Sequence, residues 1–205
     1  MTPKRPQPAI GPAMSSSSTR RLSNIVGFDD APFERTDRGL VPIVGAVFAS
    51  LRFDGVLIGS VQKDGGDATD ELIRLVRGSH FAQHVQAVLL QGIAFAGFNV
   101  VDLVRLQRQL SRPVLVVARR APNLEAIRKA LLTRVPGGIG KWSLIENTGP
   151  MEPLAGVFVQ RAGLSAAQAE AVLRRFALHG RIPEPLRVAH LIAGALARGA
   201  SRGRV

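Results

Sequence analysis

The apolar period of this chain first changes after Gly65-Gly66, and that change restricts the folds open to it. Before it lie three strand-like apolar runs, at residues 25–28, 41–51 and 56–61. The last two flank Arg52-Phe53-Asp54-Gly55, whose Asp-Gly pair predicts a hairpin turn. Three antiparallel strands in succession are therefore expected. After Gly66, Leu72, Ile73, Leu75 and Val76 form a helical stripe, with Asp67 as N-cap, Asp70 at the capping-box position and Gly78 as the stop. Residues 85–90 read as a buried strand, and Asp102 has cap spacing ahead of Leu103, Leu106 and Leu110. Pro113 ends that helix, and residues 114–118 read as another buried strand. Strands alternating with helices are the pattern of parallel α/β structure.

Further along, Pro122-Asn123 precedes a helix carrying Leu124, Ile127, Leu131 and Leu132 that closes near Pro136-Gly137-Gly138. Residues 142–145 and 154–159 predict two more strands. Ser165 and Gln168 form a capping box that opens a helix to about residue 178. Residues 186–197 predict a final amphipathic helix, with Pro183 and Pro185 before it and Gly199 after it. The expected fold class is α/β: a ribonuclease-H-like mixed sheet with three antiparallel N-terminal strands, then βαβαβ, with helices on both faces. At 205 residues the chain can bury one good core, so a single domain is expected over residues 23–205. Residues 1–22 are aperiodic, rich in Pro and Ser, and predict a disordered basic tail.

Charge narrows the function classes. There are 27 Lys and Arg against 15 Asp and Glu, a formal net charge of +12, and only Lys4, Lys63, Lys129 and Lys141 are not Arg. An Arg-rich surface suits phosphate oxygens, although an Arg-rich composition by itself also yields one. The chain has no Cys, which removes disulfides, thiolate nucleophiles and Cys-built zinc sites. No signal peptide is visible and no apolar run reaches the ~20 residues of a membrane span, so a cytoplasmic location is expected.

Acid is concentrated at two places, Asp29-Asp30 and the cluster Asp64, Asp67, Asp70 and Glu71, each after a strand-like run. Two acidic spots in a basic surface suit a metal-dependent enzyme acting on a polyanion. Asp29 ends its strand and is the preferred ligand; alternation along a strand directs Asp30 to the other face. Both also fit turn formers ahead of Pro32, and Asp67 fits a helix cap as well as a ligand. At the end of the next strand Gln91 offers an amide, suited to orienting a substrate oxygen or water. The loop from Gly92 to Asn99 lies on the carboxyl side of a strand, where α/β proteins tend to bind ligands. Its Phe95 and Phe98 fit base stacking or core packing. Gly137-Gly138-Ile139-Gly140-Lys141 lacks the spacing of a phosphate loop, and His80 with His84 lacks the context of a zinc site.

Five blocks together resemble the endonuclease-dU-like family: residues 25–33, 64–69, 92–102, 182–190 and 201–204, matching over about residues 23–205. That family is similar in fold to endonuclease V, a ribonuclease-H-like repair nuclease that uses magnesium and cleaves near deaminated bases. The resemblance implies a metal-dependent endonuclease acting on deoxyuridine-containing DNA, with Mg²⁺, or Mn²⁺, as cofactor. The implied catalytic residues are Asp29, Asp30, Asp67 and Gln91, with Asp29 and Asp67 as metal ligands. Phe95, Phe98, Asn99, Arg187, Arg202 and Arg204 are the candidate substrate-binding residues. Gln91 stands where endonuclease V carries an essential Asp, and Leu164 where it carries an active-site His. The alternative is a catalytically impaired nucleic-acid-binding relative that lacks the carboxylate at Gln91.

Overall fold

The computed structural model describes residues 21–201. Most of the expected N-terminal tail, with Arg202 and Arg204, lies outside the described residues. The chain opens with a meander of three strands: β1 (Asn24–Asp30), β2 (Leu40–Ala49) and β3 (Arg52–Gln62), each antiparallel to the one before. Helix α1 (Ala68–Arg77) then crosses to β4 (Ala87–Gln91), which lies parallel to β1. A small hairpin, β5 (Ala94–Phe95) with β6 (Asn99–Val100), leads into α2 (Leu103–Leu110) and β7 (Val114–Ala118), parallel to β4. Two helices follow, α3 (Leu124–Arg134) and α4 (Gly138–Thr148). The hairpin of β8 (Glu152–Leu154) and β9 (Val157–Ala162), then α5 (Ala166–Phe176) and α6 (Glu184–Arg198), complete the described chain. The sheet order is β3-β2-β1-β4-β7-β9-β8, with β9 antiparallel to β7. This is the mixed ribonuclease-H-like sheet expected, with β1, β4 and β7 at its centre.

Two glycines show how the faces are covered. A Cβ on Gly27 would come within 2.6 to 2.7 Å of Pro185 and Leu186, so α6 lies directly on that face of β1. Gly59 of β3 faces Glu71 and Leu75 of α1. Gly59 pairs with Ile43, and Ile43 with Asp30, which puts α1 on the Asp30 face and α6 on the Gly27 and Asp29 face. Helices therefore cover both faces. The centre of the sheet is built of apolar side chains, from Ile25, Val26 and Phe28 through Val88, Leu89 and Leu90 to Val114, Leu115 and Val116. No helix among the described residues is long and apolar enough to cross a membrane.

Four local expectations are corrected. Asp54-Gly55 is not the β2–β3 turn: the chain reverses at Ser50-Leu51, with Ser50 at φ 56°, and Asp54 is an extra residue between the pairs Val47–Gly55 and Phe48–Phe53. The Asp-Gly signal marks a β-bulge instead, where Gly55 also leaves room for the ring of Phe81. The expected strand at 142–145 is part of α4, whose Ile145 packs with Leu131 and Val100 in a second small core. The expected strand at 154–159 is two strands joined through Ala155 and Gly156, both at positive φ. Asp67 precedes α1 without capping it through its side chain. The expected caps at Asp102 and Ser165 are present, and Asn123 caps α3.

Candidate functional site

β1 continues through Asp30 by pairing Asp29 with Val44 and Asp30 with Ile43, so the two carboxylates leave opposite faces of the sheet. Asp29 points to α6 and is 5% exposed. Its Oδ2 lies 2.7 Å from Nδ1 of His190, and its Oδ1 accepts the Asp30 N–H at 3.0 Å. Asp30 points to the β5–β6 hairpin, where its Oδ2 accepts the Ala96 N–H at 2.7 Å. Burial pushes the Asp30 carboxyl up to about 6; the Ala96 N–H opposes this and the negative charge of Asp29 adds to it. His190 is raised above its ordinary value by its hydrogen bond to Asp29 first, with the charges of Asp29 and Asp30 assisting and burial and Arg119 opposing. Asp29, Asp30 and His190 line one cavity of about 290 Å³, with Pro32, Gly194 and Arg198 among its walls.

Gln91 joins this site through strand register. Phe28 pairs with Leu90 in the parallel β1–β4 ladder, so Asp29, one residue before the end of β1, lies beside Gln91, the last residue of β4. The strand-end position expected from the sequence is thus present, with an amide in it.

The second acidic cluster serves the hairpin. Asp64 Oδ1 accepts the Phe98 N–H at 2.8 Å, and the Asp64 N–H donates to Ala96 O at 2.9 Å. Lys141 Nζ donates to the Asp64 carbonyl. Asp67 accepts the Gln62 N–H at 3.2 Å and the side-chain amide of Asn99. Asn99 is fully buried; its Nδ2 also donates to Gln62 O at 2.9 Å, and its Oδ1 accepts the Ala68 N–H at 3.0 Å. Asn99 therefore provides the α1 cap that the sequence assigns to Asp67. The structure ties Asp67 to Asn99 and not to Asp29.

The candidate substrate residues divide similarly. Phe95 is fully buried in the main core, so no base can stack on it without opening that core. Phe98 is half-buried against the Val100, Leu131 and Ile145 cluster. Asn99 has its amide engaged on both ends, and Arg187 grips Glu184 at 2.6 Å. His190 was not singled out from sequence: it is one His on an amphipathic helix, 161 residues from Asp29, and only the packing of α6 on β1 joins them.

The donors at the end of β1 fit a hard divalent cation. Two neighbouring carboxylates, one of them held towards its protonated form by burial and the other's charge, are the environment a doubly charged cation relieves. No group of three or more His, Asp or Glu converges as a ligand set among the described residues, and the residue beside Asp29 on β4 is the neutral Gln91.

Comparison with known proteins places this geometry in a lineage. The profile described as endonuclease dU matches residues 21–197. A UPF0215 protein of Deinococcus radiodurans is 60% identical over 90% of this chain and 94% of its own length. A crystal structure of a protein of unknown function from Archaeoglobus fulgidus superposes with a TM-score of 0.79 at 33% identity, covering 85% of this chain and 98% of that one. Endonuclease V of Ciona intestinalis, in complex with a DNA containing an inosine followed by a ribo-adenosine, superposes with a TM-score of 0.55 at 15% identity, covering 84% of each chain. At that identity the likeness is one of fold.

Proposed function

The chain belongs to the endonuclease dU family, and from that premise we propose that it is a divalent-metal-dependent endonuclease acting on deaminated, deoxyuridine-containing DNA in the cytoplasm. The observation that carries this reading is the pair Asp29-Asp30, the first buried and the second half-buried, at the end of the central strand β1 in a protein of net charge +12. Mg²⁺ or Mn²⁺ held there by Asp29 as the principal ligand, with Asp30 assisting, would polarise a phosphate oxygen and supply an activated water.

The residues around the pair have separate tasks. His190 fixes the Asp29 carboxylate by its 2.7 Å contact, leaving the other lone pairs of that carboxylate for a ligand. Gln91 orients water or a non-bridging oxygen through its amide. Arg198, in the wall of the same cavity, neutralises a backbone phosphate. Asp67 acts at one remove, through Asn99 and the hairpin that positions Asp30. Phe98, Arg187, Arg202 and Arg204 are the proposed substrate contacts; Phe95 contributes through the core beneath the hairpin.

One observation favours a second reading. Gln91 is neutral and stands beside Asp29, so a chain lacking that carboxylate would bind nucleic acid with little or no cleavage. Incubating the protein with uracil-containing and undamaged duplexes, with and without Mg²⁺, separates the two. The proposed activity gives products from the uracil-containing duplex only with metal, and loses them in Asp29→Ala. Salt-sensitive binding without metal-dependent product selects the second reading, and equal cleavage of both duplexes that persists in Asp29→Ala rejects the first.

A further inference from the structure

Lys63 and Asp64 follow β3 directly, and each holds one of the two segments that flank Asp30. Lys63 holds the loop that leaves Asp30. Its Nζ donates to the carbonyls of Glu34, Arg35 and Asp37, at 3.1 Å to Glu34 and 3.0 Å to Asp37, and lies 5.5 Å from the centre of the Phe33 ring. An ammonium has three N–H donors, so each of them meets a carbonyl of this one loop. The Lys63 backbone N–H closes the loop by donating to Gly39 O at 2.9 Å. Residues 34–38 are exposed and belong to no strand or helix; within them a turn is closed by the Glu34 N–H donating to Asp37 Oδ2 at 2.7 Å.

Asp64 holds the hairpin against which Asp30 rests. Its Oδ1 accepts the Phe98 N–H at 2.8 Å, and its own N–H donates to Ala96 O at 2.9 Å. The Ala96 N–H in turn donates to Asp30 Oδ2 at 2.7 Å. The approach is close, because a Cβ on Gly97 would collide with Asp64 Oδ1. Asp64 stands at φ 52° and Ala96 at φ 46°, a left-handed conformation that a residue with a side chain keeps only where its surroundings fix it. Lys141 adds to that fixing, since its Nζ donates to the Asp64 carbonyl.

Asp30 ends β1 between these two segments, and Ala31 and Pro32, the first residues of the loop, line the same cavity as Asp29 and Asp30. We propose that Lys63 and Asp64 are positioning residues for the carboxylates of β1. Lys63 fixes the loop that carries the cavity wall at Ala31 and Pro32, and Asp64 fixes the hairpin that orients Asp30. Neither is itself a ligand. The assignment rests on the divalent-metal reading given above and deepens it, adding residues that act on the ligands through the backbone they hold. Supports of this kind are worth about 10- to 100-fold in metal affinity or activity.

The chain has no Cys, so Lys63→Cys introduces a single thiol. Alkylation with 2-bromoethylamine forms a carbon–sulfur bond with loss of bromide and restores an ammonium on a side chain of lysine length. In metal-free protein, an arginine-specific protease should cut after Arg35 and Arg38 faster in Lys63→Cys than in the parent, and at the parent rate after alkylation. On a uracil-containing duplex with Mg²⁺, kcat should fall about 10- to 100-fold with KM unchanged, and return on alkylation. Asp64→Ala should lose kcat to the same extent and speed hydrogen exchange of the Ala96 and Phe98 N–H groups without metal. Asp64→Asn keeps an oxygen for the Phe98 N–H and should behave as the parent in both respects. Parent-like protease rates and kcat in Lys63→Cys, or a loss that alkylation does not restore, overturn the role of Lys63. If Lys63→Cys does not fold, parent-like values in Lys63→Gln overturn it equally. Equal loss in Asp64→Asn and Asp64→Ala makes the charge of Asp64 the active element and overturns its positioning role. A parent without metal-dependent cleavage overturns the endonuclease reading and this assignment together, whereas a parent that cleaves and is matched by its variants overturns this assignment alone.

Discussion

At Asp30 burial works against ionisation, and the sign of that conflict makes a prediction. The folded carboxyl is raised to about 6 from an ordinary 3.8, so the native state holds its proton more tightly than the unfolded chain does. Between those values the native state binds the extra proton, and stability falls as pH rises through the window. Asp30→Asn keeps an oxygen for the Ala96 N–H and removes the charge. In metal-free buffer it is expected to stabilise the protein by roughly 2 kcal/mol near pH 7.5, after allowance for partial solvent screening, and by nothing near pH 4. Urea melts of both proteins at the two pH values check this, and an equal effect at both would contradict it. His190 contributes in the same sense over a higher window: its stabilisation by Asp29 is full below its ordinary 6.5 and is lost as pH rises through the higher folded value. At this scale the sequence showed Asp29 and Asp30, because scarce acid directly after an apolar run is visible in one dimension. It did not show His190, whose meaning depends on a partner 161 residues away.

Among the elements, α6 does most to shape the site, and Gly27 lets it approach. With a Cβ at residue 27 the backbone of Pro185 and Leu186 would be too close, and backbone cannot swing aside as a flexible side chain can. Gly27→Ala is therefore expected to lift the start of α6 from β1, costing about 1 to 3 kcal/mol of stability and moving His190 away from Asp29. Thermal or urea unfolding measures the first effect, and the upfield or downfield displacement of the His190 ring resonances measures the second. An unperturbed variant would contradict the close packing. The hairpin β5–β6 is the counterpart on the other face, clamped by Asp30, Asp64 and Asn99. Sequence periodicity gave the helices with clear caps correctly, since Asp102, Asn123 and Ser165 act locally. It failed where one signal serves two structures. Asp-Gly suits a bulge as well as a turn, and the apolar run at 142–145 belongs to a helix because Ile145 reaches Leu131 and Val100, a tertiary contact that periodicity does not contain.

For the whole molecule, the change of period at Gly65-Gly66 carried the topology: a meander before it, parallel crossovers after it, and three parallel strand ends at one edge. That edge brings Asp29 and Asp30 of β1, Gln91 of β4 and Arg119, which follows β7, to the same side of the sheet. Acid stands at the end of β1, and the exposed Arg119 follows β7. We propose that the carboxylates at the end of β1 bind a divalent cation and that Gln91 replaces one further ligand. Thermal midpoints of the parent, Asp29→Asn and Gln91→Asp, each titrated with Mg²⁺ in the absence of DNA, test it most directly, because a ligand bound only by the native state raises its stability. The parent midpoint should rise with Mg²⁺, Asp29→Asn should lose the response, and Gln91→Asp should start lower without metal, from like-charge repulsion beside Asp29, and rise further with it. Identical responses to Mg²⁺ in all three proteins would contradict the claim.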